Sequence, residues 1–425
     1  MKEIKLTGLD TSIFYEKLKN GLEVFLCPMK NKSSYFTMYA TKYGSDRIEF
    51  VPNGKKKKIK VPNGIAHFLE HKLFETEEGI DPFTFYAEQG SDANAFTNYD
   101  VTAYHFTGTT NYEENLSFLL KYVNTPYFTD ENVEKEKGII KEEINMGLDN
   151  PDRVLAETLR KNTYKNLPRK NNVIGSVKDI EKITKEDLYR CYSAFYQPSN
   201  MFIIATGNID VKKTMEIIHR NFDDITSYPV PKKIDYKEDL TVAKAKEEII
   251  KNVQIPKVGM AFKTKTSDYK VKNEVELDYY LTMIIRIVLG RSSDYYEEIV
   301  ENNIALSFGT LSETVDGFKT LYVYATTKEP DKFIKTFDKY TKKIEISTKD
   351  FNRYKKIWIA NLVRDYENVD NTADSIFLDI MRYNKIIDNK LKIIKGLNKK
   401  DLDKVIKNLN LKNKVVLKMV NKDYQ

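Results

Sequence analysis

Residues 64–75 read GIAHFLEHKLFE, which places His67 and His71 four apart with Glu70 between them. On an α-helix this spacing sets both imidazoles one turn apart on one face, and Glu70, three past His67, shares that face. Two imidazoles and a carboxylate converging on one point are what a zinc ion and its attendant water require. The order H-x-x-E-H inverts the commoner H-E-x-x-H. Catalytic zinc takes three protein ligands and keeps its fourth position for water. His67 and His71 supply two, and Glu70 suits the general base for a water attacking a carbonyl. A competing reading is a helix with one core histidine and an exposed Glu–His pair. Against it, the chain has only 4 histidines in 425 residues, and two of them fall inside this pentapeptide.

The third ligand has to come from elsewhere. His105 alternates with Tyr104 and Phe106 and reads as a packed strand residue, while His219 sits on an amphipathic helix and reads as surface. The stretch EKEKGIIKEEINMG, 134–147, offers more. Glu136, Ile140, Glu143 and Ile144 fall on one helical stripe, and Glu142 points to the other side. Carboxylates seldom face a core without a partner. A metal is one such partner for Glu136 and Glu143. The alternative is pairing with lysines on the surface of a charged helix.

The elements that must position these residues follow from periodicity. Strands are predicted at 22–29 and 34–43, then the histidine helix near 64–76 and a helix over 81–89 closed by Gly90. Residues 91–108 read as a strand pair turning around Asn98 and Asp100. Helices follow at 112–124, 130–148, 151–164 and 184–196, then a buried strand at 200–207 and a helix at 210–222. Residues 224–246 have two prolines, mixed charge and no period, as a linker would. Beyond them strands are predicted at 247–254 and 257–265, helices at 274–289 and 293–302, and strands at 305–311 and 318–327. Helices at 330–345, 348–366, 371–386 and 398–408 precede a last strand at 415–420.

Each half thus runs strand, strand, helix, helix, strand, strand, several helices, strand. The pattern predicts an α+β protein of two related halves, each a mainly antiparallel sheet packed with helices. The expected division is 1–225, a linker at 226–246, and 247–425. The second half has no histidine, so the metal chemistry belongs to the first.

Composition limits the alternatives. With 41% hydrophobic and 12% aromatic residues the chain can build packed cores. A net charge of +7 spread over this length does not argue for nucleic acid. The densest basic run, Lys55–Lys58, lies between two copies of VPNG and is not interleaved with aromatics, as a stacking surface would require. It reads as a solvated loop. Cys27 and Cys191 lack metal-ligand spacing and read as buried free thiols. No apolar leader and no run of about 18 apolar residues is present, so the expectation is a soluble, cytoplasmic protein with no membrane span.

HFLEH at 67–71, the Glu136/Glu143 pair, NAFT at 94–97 and YQPSNM at 196–201 together resemble the insulinase-like (pitrilysin-type, inverzincin) zinc metallopeptidases. The similarity covers most of the chain and lies with the mid-length bacterial and mitochondrial-processing-type branch. It implies zinc held by His67, His71 and Glu143, with Glu70 as catalytic base and Glu136 as a supporting carboxylate. It also implies that Asn94, Ala95, Phe96 and Thr97 form an edge strand onto which a substrate peptide adds. Phe74 would line the pocket just past the cleaved bond. A clamshell of two halves closing on unfolded peptides is expected. Relatives usually carry an Arg and a Tyr six apart in the second half, in a segment like R-E-K-G-L-A-Y. The matching segment here is VENNIAL, with Val300 and Leu306 at those places. The resemblance then implies a zinc-bearing chain that works with a second insulinase-like chain as a heterodimer; the competing arrangements are a homodimer and a monomer in which other residues substitute. The alternative is a weakly active or inactive peptide-binding scaffold of a processing complex.

Overall fold

The computed structural model describes residues 1–271 and 273–422. The chain forms two compact α+β units, each with its own sheet.

The first sheet has seven strands in the order Lys2–Lys5, Ser12–Lys17, Glu23–Pro28, Met201–Gly207, Tyr35–Thr41, Thr102–Gly108, Ser91–Thr97. Neighbours are antiparallel except Glu23–Pro28 beside Met201–Gly207. The second sheet has five, in the order Lys246–Ile250, Lys414–Val420, Lys257–Lys265, Phe318–Thr326, Ser307–Val315. Here the first pair is parallel and the rest antiparallel. The last five strands of the first sheet therefore repeat the order and the senses of the second. The duplication expected from the pattern of elements is present in the topology.

The two strands at the N-terminus, Lys2–Lys5 and Ser12–Lys17, extend the first sheet beyond the repeat and were not expected from periodicity. Strand Lys246–Ile250 is shorter than the predicted 247–254. Ser307–Val315 runs further than the predicted 305–311, because a two-residue turn carries it into Phe318–Thr326. Asp316 and Gly317 both take left-handed conformations there, with φ 47 and 79. That is the requirement of a type I′ hairpin, which Asp-Gly meets at low cost.

The units are not contiguous halves, in contrast to the expected division at 226–246. One comprises Met1–Asn145, Asn171–Asp235 and Leu362–Lys390; the other Met146–Lys170, Tyr236–Asn361 and the chain from Leu391. Helix Pro151–Thr163 buries Leu155 and Leu159 with Ala261, Tyr322 and Leu417 of the second sheet. Helix Val369–Tyr383 lies on the first sheet, where Phe377 meets Phe202 and Phe96 and the Thr206 hydroxyl donates to the Val369 carbonyl. Strand Met201–Gly207 is buried at every residue, so its sheet needs cover on both faces. One of those covers is supplied from the other half of the sequence. Periodicity shows that a helix has an apolar face but not which sheet that face meets.

The linker carries no helix or strand before Lys246. Its first part is tied to the first unit, with Asn53 and Arg47 donating to the carbonyls of Pro229 and Pro231. Its second part is tied to the second unit. There Glu238 accepts from the backbone amides of Lys165, Asn166 and Leu167 and pairs with the fully buried Lys263. Cys27 and Cys191 are free and buried, as expected. Lys55–Lys58 are exposed. Among the described residues no helix is long and apolar enough to cross a membrane.

Candidate metal centre

Helix Ile65–Lys72 presents Ile65, Ala66, Phe68 and Leu69 to the first unit's core. It is shorter than the predicted 64–76. Gly64 precedes it at φ 86, and a Cβ there would stand 2.2 Å from the Ile174 carbonyl oxygen. Only glycine fits that entry. Helix Asp130–Asp149 buries Val133, Ile140 and Ile144 and brings two carboxylates to the histidines.

The geometry separates the two. Glu136 is 7% exposed, and its Oε1 lies 2.9 Å from His71 Nδ1. Glu143 is 33% exposed, with Oε2 3.7 Å from His67 Nε2 and 3.6 Å from His71 Nε2. The ligand atoms of His67, His71 and Glu143 all lie within 4.8 Å of one another. A hydrogen bond from His71 Nδ1–H to Glu136 leaves the Nε2 lone pair directed at the shared point, the usual arrangement behind a metal-bound histidine. Glu142 is exposed, as its place on the helix predicts.

Glu70 lies on the same helix and is 8% exposed. Its Oε2 has no hydrogen-bond partner among the described residues. Burial pushes its carboxyl above the ordinary range; the Thr97 hydroxyl and His71 oppose the shift and Glu143 adds to it. Burial pulls His71 down, but the hydrogen bond and charge of Glu136, with Glu70 and Glu143, outweigh it and leave the imidazole raised. Two imidazoles, one carboxylate, an open side and a buried carboxylate with an unused oxygen fit a zinc ion with a fourth position for water. The donor set is wrong for calcium or magnesium, which favour all-oxygen shells.

The remaining histidines stay away from this cluster. His105 stacks on Phe36 at 5.3 Å, and His219 lies 2.9 Å from Asp223 and 3.3 Å from Glu16. Ser91–Thr97, which carries Asn94, Ala95, Phe96 and Thr97, is the outermost strand of its sheet and pairs with Thr102–Gly108. Asp92 and Asn94 are exposed, while Phe96 packs against His105 and Phe377. Phe74 stacks on Phe83 with ring centres 4.7 Å apart and planes 7° from parallel. Val300 and Leu306 lie on the second unit, 49% and 56% exposed. Sequence reasoning passed over Lys72, whose side chain is fully buried beside Glu136. Its position, directly after His71 and four past Phe68 on the helix's buried side, was the available signal.

The family model for insulinase (peptidase family M16) matches residues 50–177, and the model for the peptidase M16 inactive domain matches residues 182–357. The uncharacterized zinc protease YmfH of Bacillus subtilis (strain 168) is 39% identical over 336 residues, covering 78% of this chain and 78% of its own. The mitochondrial-processing peptidase subunit beta of Saccharomyces cerevisiae is 26% identical over 282 residues, covering 64% of this chain and 57% of its own. The crystal structure of an M16-like peptidase from Alicyclobacillus acidocaldarius matches with a TM-score of 0.90 at 26% identity, covering 98% of this chain and 100% of that one. With the inverted histidine motif and two repeated α+β units, these matches show that the chain belongs to the insulinase (M16) peptidase family.

Proposed function

We propose that the chain is a zinc endopeptidase acting on short or unfolded peptides. The observation that carries this reading is the convergence of His67 and His71, on a helix that also buries Glu70, with Glu143 from helix Asp130–Asp149, their ligand atoms all within 4.8 Å of one another. Zinc held there would acidify an attacking water and polarise the scissile carbonyl. Glu70 would take a proton from the attacking water and pass it to the leaving amide nitrogen, a double role that suits a carboxyl raised by burial. Glu136 fixes the tautomer and ring orientation of His71. The free side of strand Ser91–Thr97 offers backbone donors and acceptors to an extended peptide, binding main chain more than side chains. Phe74 borders the pocket for the residue after the cleaved bond.

The chain is further proposed to be the zinc-bearing member of a peptidase pair. Support comes from Val300 and Leu306, aliphatic side chains that offer no charge or hydrogen bond to a substrate carbonyl, and from a relative named as a subunit. The same two residues favour a second reading, a peptide-binding subunit with little turnover of its own. Metal analysis and cleavage of unstructured peptides, with and without chelator, test the first reading. One zinc per chain and chelator-sensitive cleavage are expected, and absence of stoichiometric zinc refutes it. Ordinary enzyme rates from the isolated chain would refute the second reading.

A further inference from the structure

Lys72 follows His71 directly, closes the histidine helix, and has a side chain with 0% exposure. Lysine is almost never fully buried unless paired. Its Nζ lies 2.5 Å from Glu75 Oε2, donates to the Asn132 carbonyl at 3.1 Å, and stands 3.9 Å from Glu136 Oε2. The other oxygen of Glu136 is the one 2.9 Å from His71 Nδ1. The Glu136 carboxylate is therefore shared between an imidazole and an ammonium.

This arrangement answers an electrostatic problem. Glu70, Glu136 and Glu143 all approach two histidines whose metal-binding form is neutral. Glu136 is the most enclosed of the three, and a buried carboxylate without a counter-charge is costly. Lys72 supplies that charge at Oε2, the oxygen that does not meet His71 Nδ1. Its place at the helix C-terminus is also the end where a cation is favoured. Asn132 and Glu136 lie one turn apart on the partner helix. The ammonium thus ties the histidine helix to both a carbonyl and the carboxylate of that element.

We infer that Lys72 is a positioning residue of the metal centre: it holds the Glu136 carboxylate, which in turn aims His71 Nε2 at the metal. The inference rests on the zinc reading proposed above. A purely structural lysine would pin the two helices through the Asn132 carbonyl, its charge met locally by Glu75, without acting through Glu136.

The test is a zinc affinity, read by competition with a chromophoric chelator on full-length protein first stripped of metal. Lys72→Met is expected to weaken zinc binding about 10- to 100-fold, the usual effect of losing an outer-shell partner. Glu136→Gln is expected to do the same. In the double variant, Lys72→Met adds little to Glu136→Gln, because its partner charge is already gone. Lys72→Gln keeps a donor for the Asn132 carbonyl but drops the charge, and it carries the comparison if Lys72→Met melts below the assay temperature. It follows Lys72→Met if the charge acts through Glu136, and binds zinc like the wild type if the helix tie alone matters. Affinity within about twofold of wild type for the Lys72 variants, or full additivity with Glu136→Gln, overturns the inference. A wild-type chain that takes up no zinc overturns the metal-centre reading itself, so the two failures are distinct.

Discussion

Glu70→Gln should stop cleavage, keep zinc and make the protein more stable. Glu70 is 8% exposed, its Oε2 lacks a hydrogen-bond partner among the described residues, and burial raises its pKa. A buried polar atom left unsatisfied costs about 1–3 kcal/mol, and more when charged. Glutamine has the same length and shape, removes the charge, and still has a neutral amide to satisfy. The net gain is then of order 1 kcal/mol, at the low end of that range. For a folding unit of 150–250 residues this is a rise in Tm of roughly 2–4 °C. Loss of a general base costs typically 10²- to 10⁴-fold, on the order of 3–5 kcal/mol in the barrier. Thermal unfolding in chelator isolates the stability effect from zinc linkage, and kcat on an unstructured peptide with zinc present reads the chemistry. A zinc-loaded Glu70→Gln that cleaves at the wild-type rate refutes the base assignment. A fall in Tm in chelator refutes the argument that the carboxylate is held at a cost in stability.

Other predictions concern neighbouring parts. Glu143→Gln should lose stoichiometric zinc, measured by metal analysis, and with it chelator-sensitive cleavage, because a neutral amide oxygen is a far weaker zinc ligand than a carboxylate. Ala95→Pro on the edge strand removes a backbone donor that bonds Asn94 Oδ1 in the free chain and would serve an added peptide strand, and it should raise KM by roughly 5- to 10-fold, the value of about one hydrogen bond, with little change in melting. Glu313 is enclosed by Arg160, Arg169, Tyr164 and Tyr322, and burial alone would raise its carboxyl, but the two guanidiniums and the tyrosine hydroxyls hold it below its ordinary 4.5. A depressed carboxylate pKa contributes stability that is present above the unfolded value and lost as pH falls through the folded value. Glu313→Gln should therefore cost about 3–5 kcal/mol at pH 7, as for breaking a buried pair. In urea denaturation, the gap to wild type should shrink as pH drops below 4.5, and a gap independent of pH would contradict this account.

The histidine helix was legible because its information is local. His67, Glu70 and His71 share a face by helix geometry alone, and the scarcity of histidine marks the motif. The alternation of strands and helices likewise predicted two repeated α+β halves, since period and turn chemistry are written in neighbouring residues. The Asp316–Gly317 hairpin was equally local, and its Asp-Gly signal places the end of strand Ser307–Val315 that periodicity alone left short.

What the residues could not settle by themselves depended on which surfaces meet. Spacing placed Glu136 and Glu143 on one stripe as equal candidates; helix packing set Glu143 by both Nε2 atoms and Glu136 behind His71 Nδ1. The burial of Lys72 needed the second helix to close over it. Helices Pro151–Thr163 and Val369–Tyr383 each joined the sheet of the other half, because an amphipathic face specifies that it must be covered and not by what. Sequence alone determined the chemistry the histidine helix can offer, through spacing on a single helix. Tertiary packing decided which carboxylate meets both Nε2 atoms and which stands between His71 and Lys72, because those contacts join residues more than sixty positions apart.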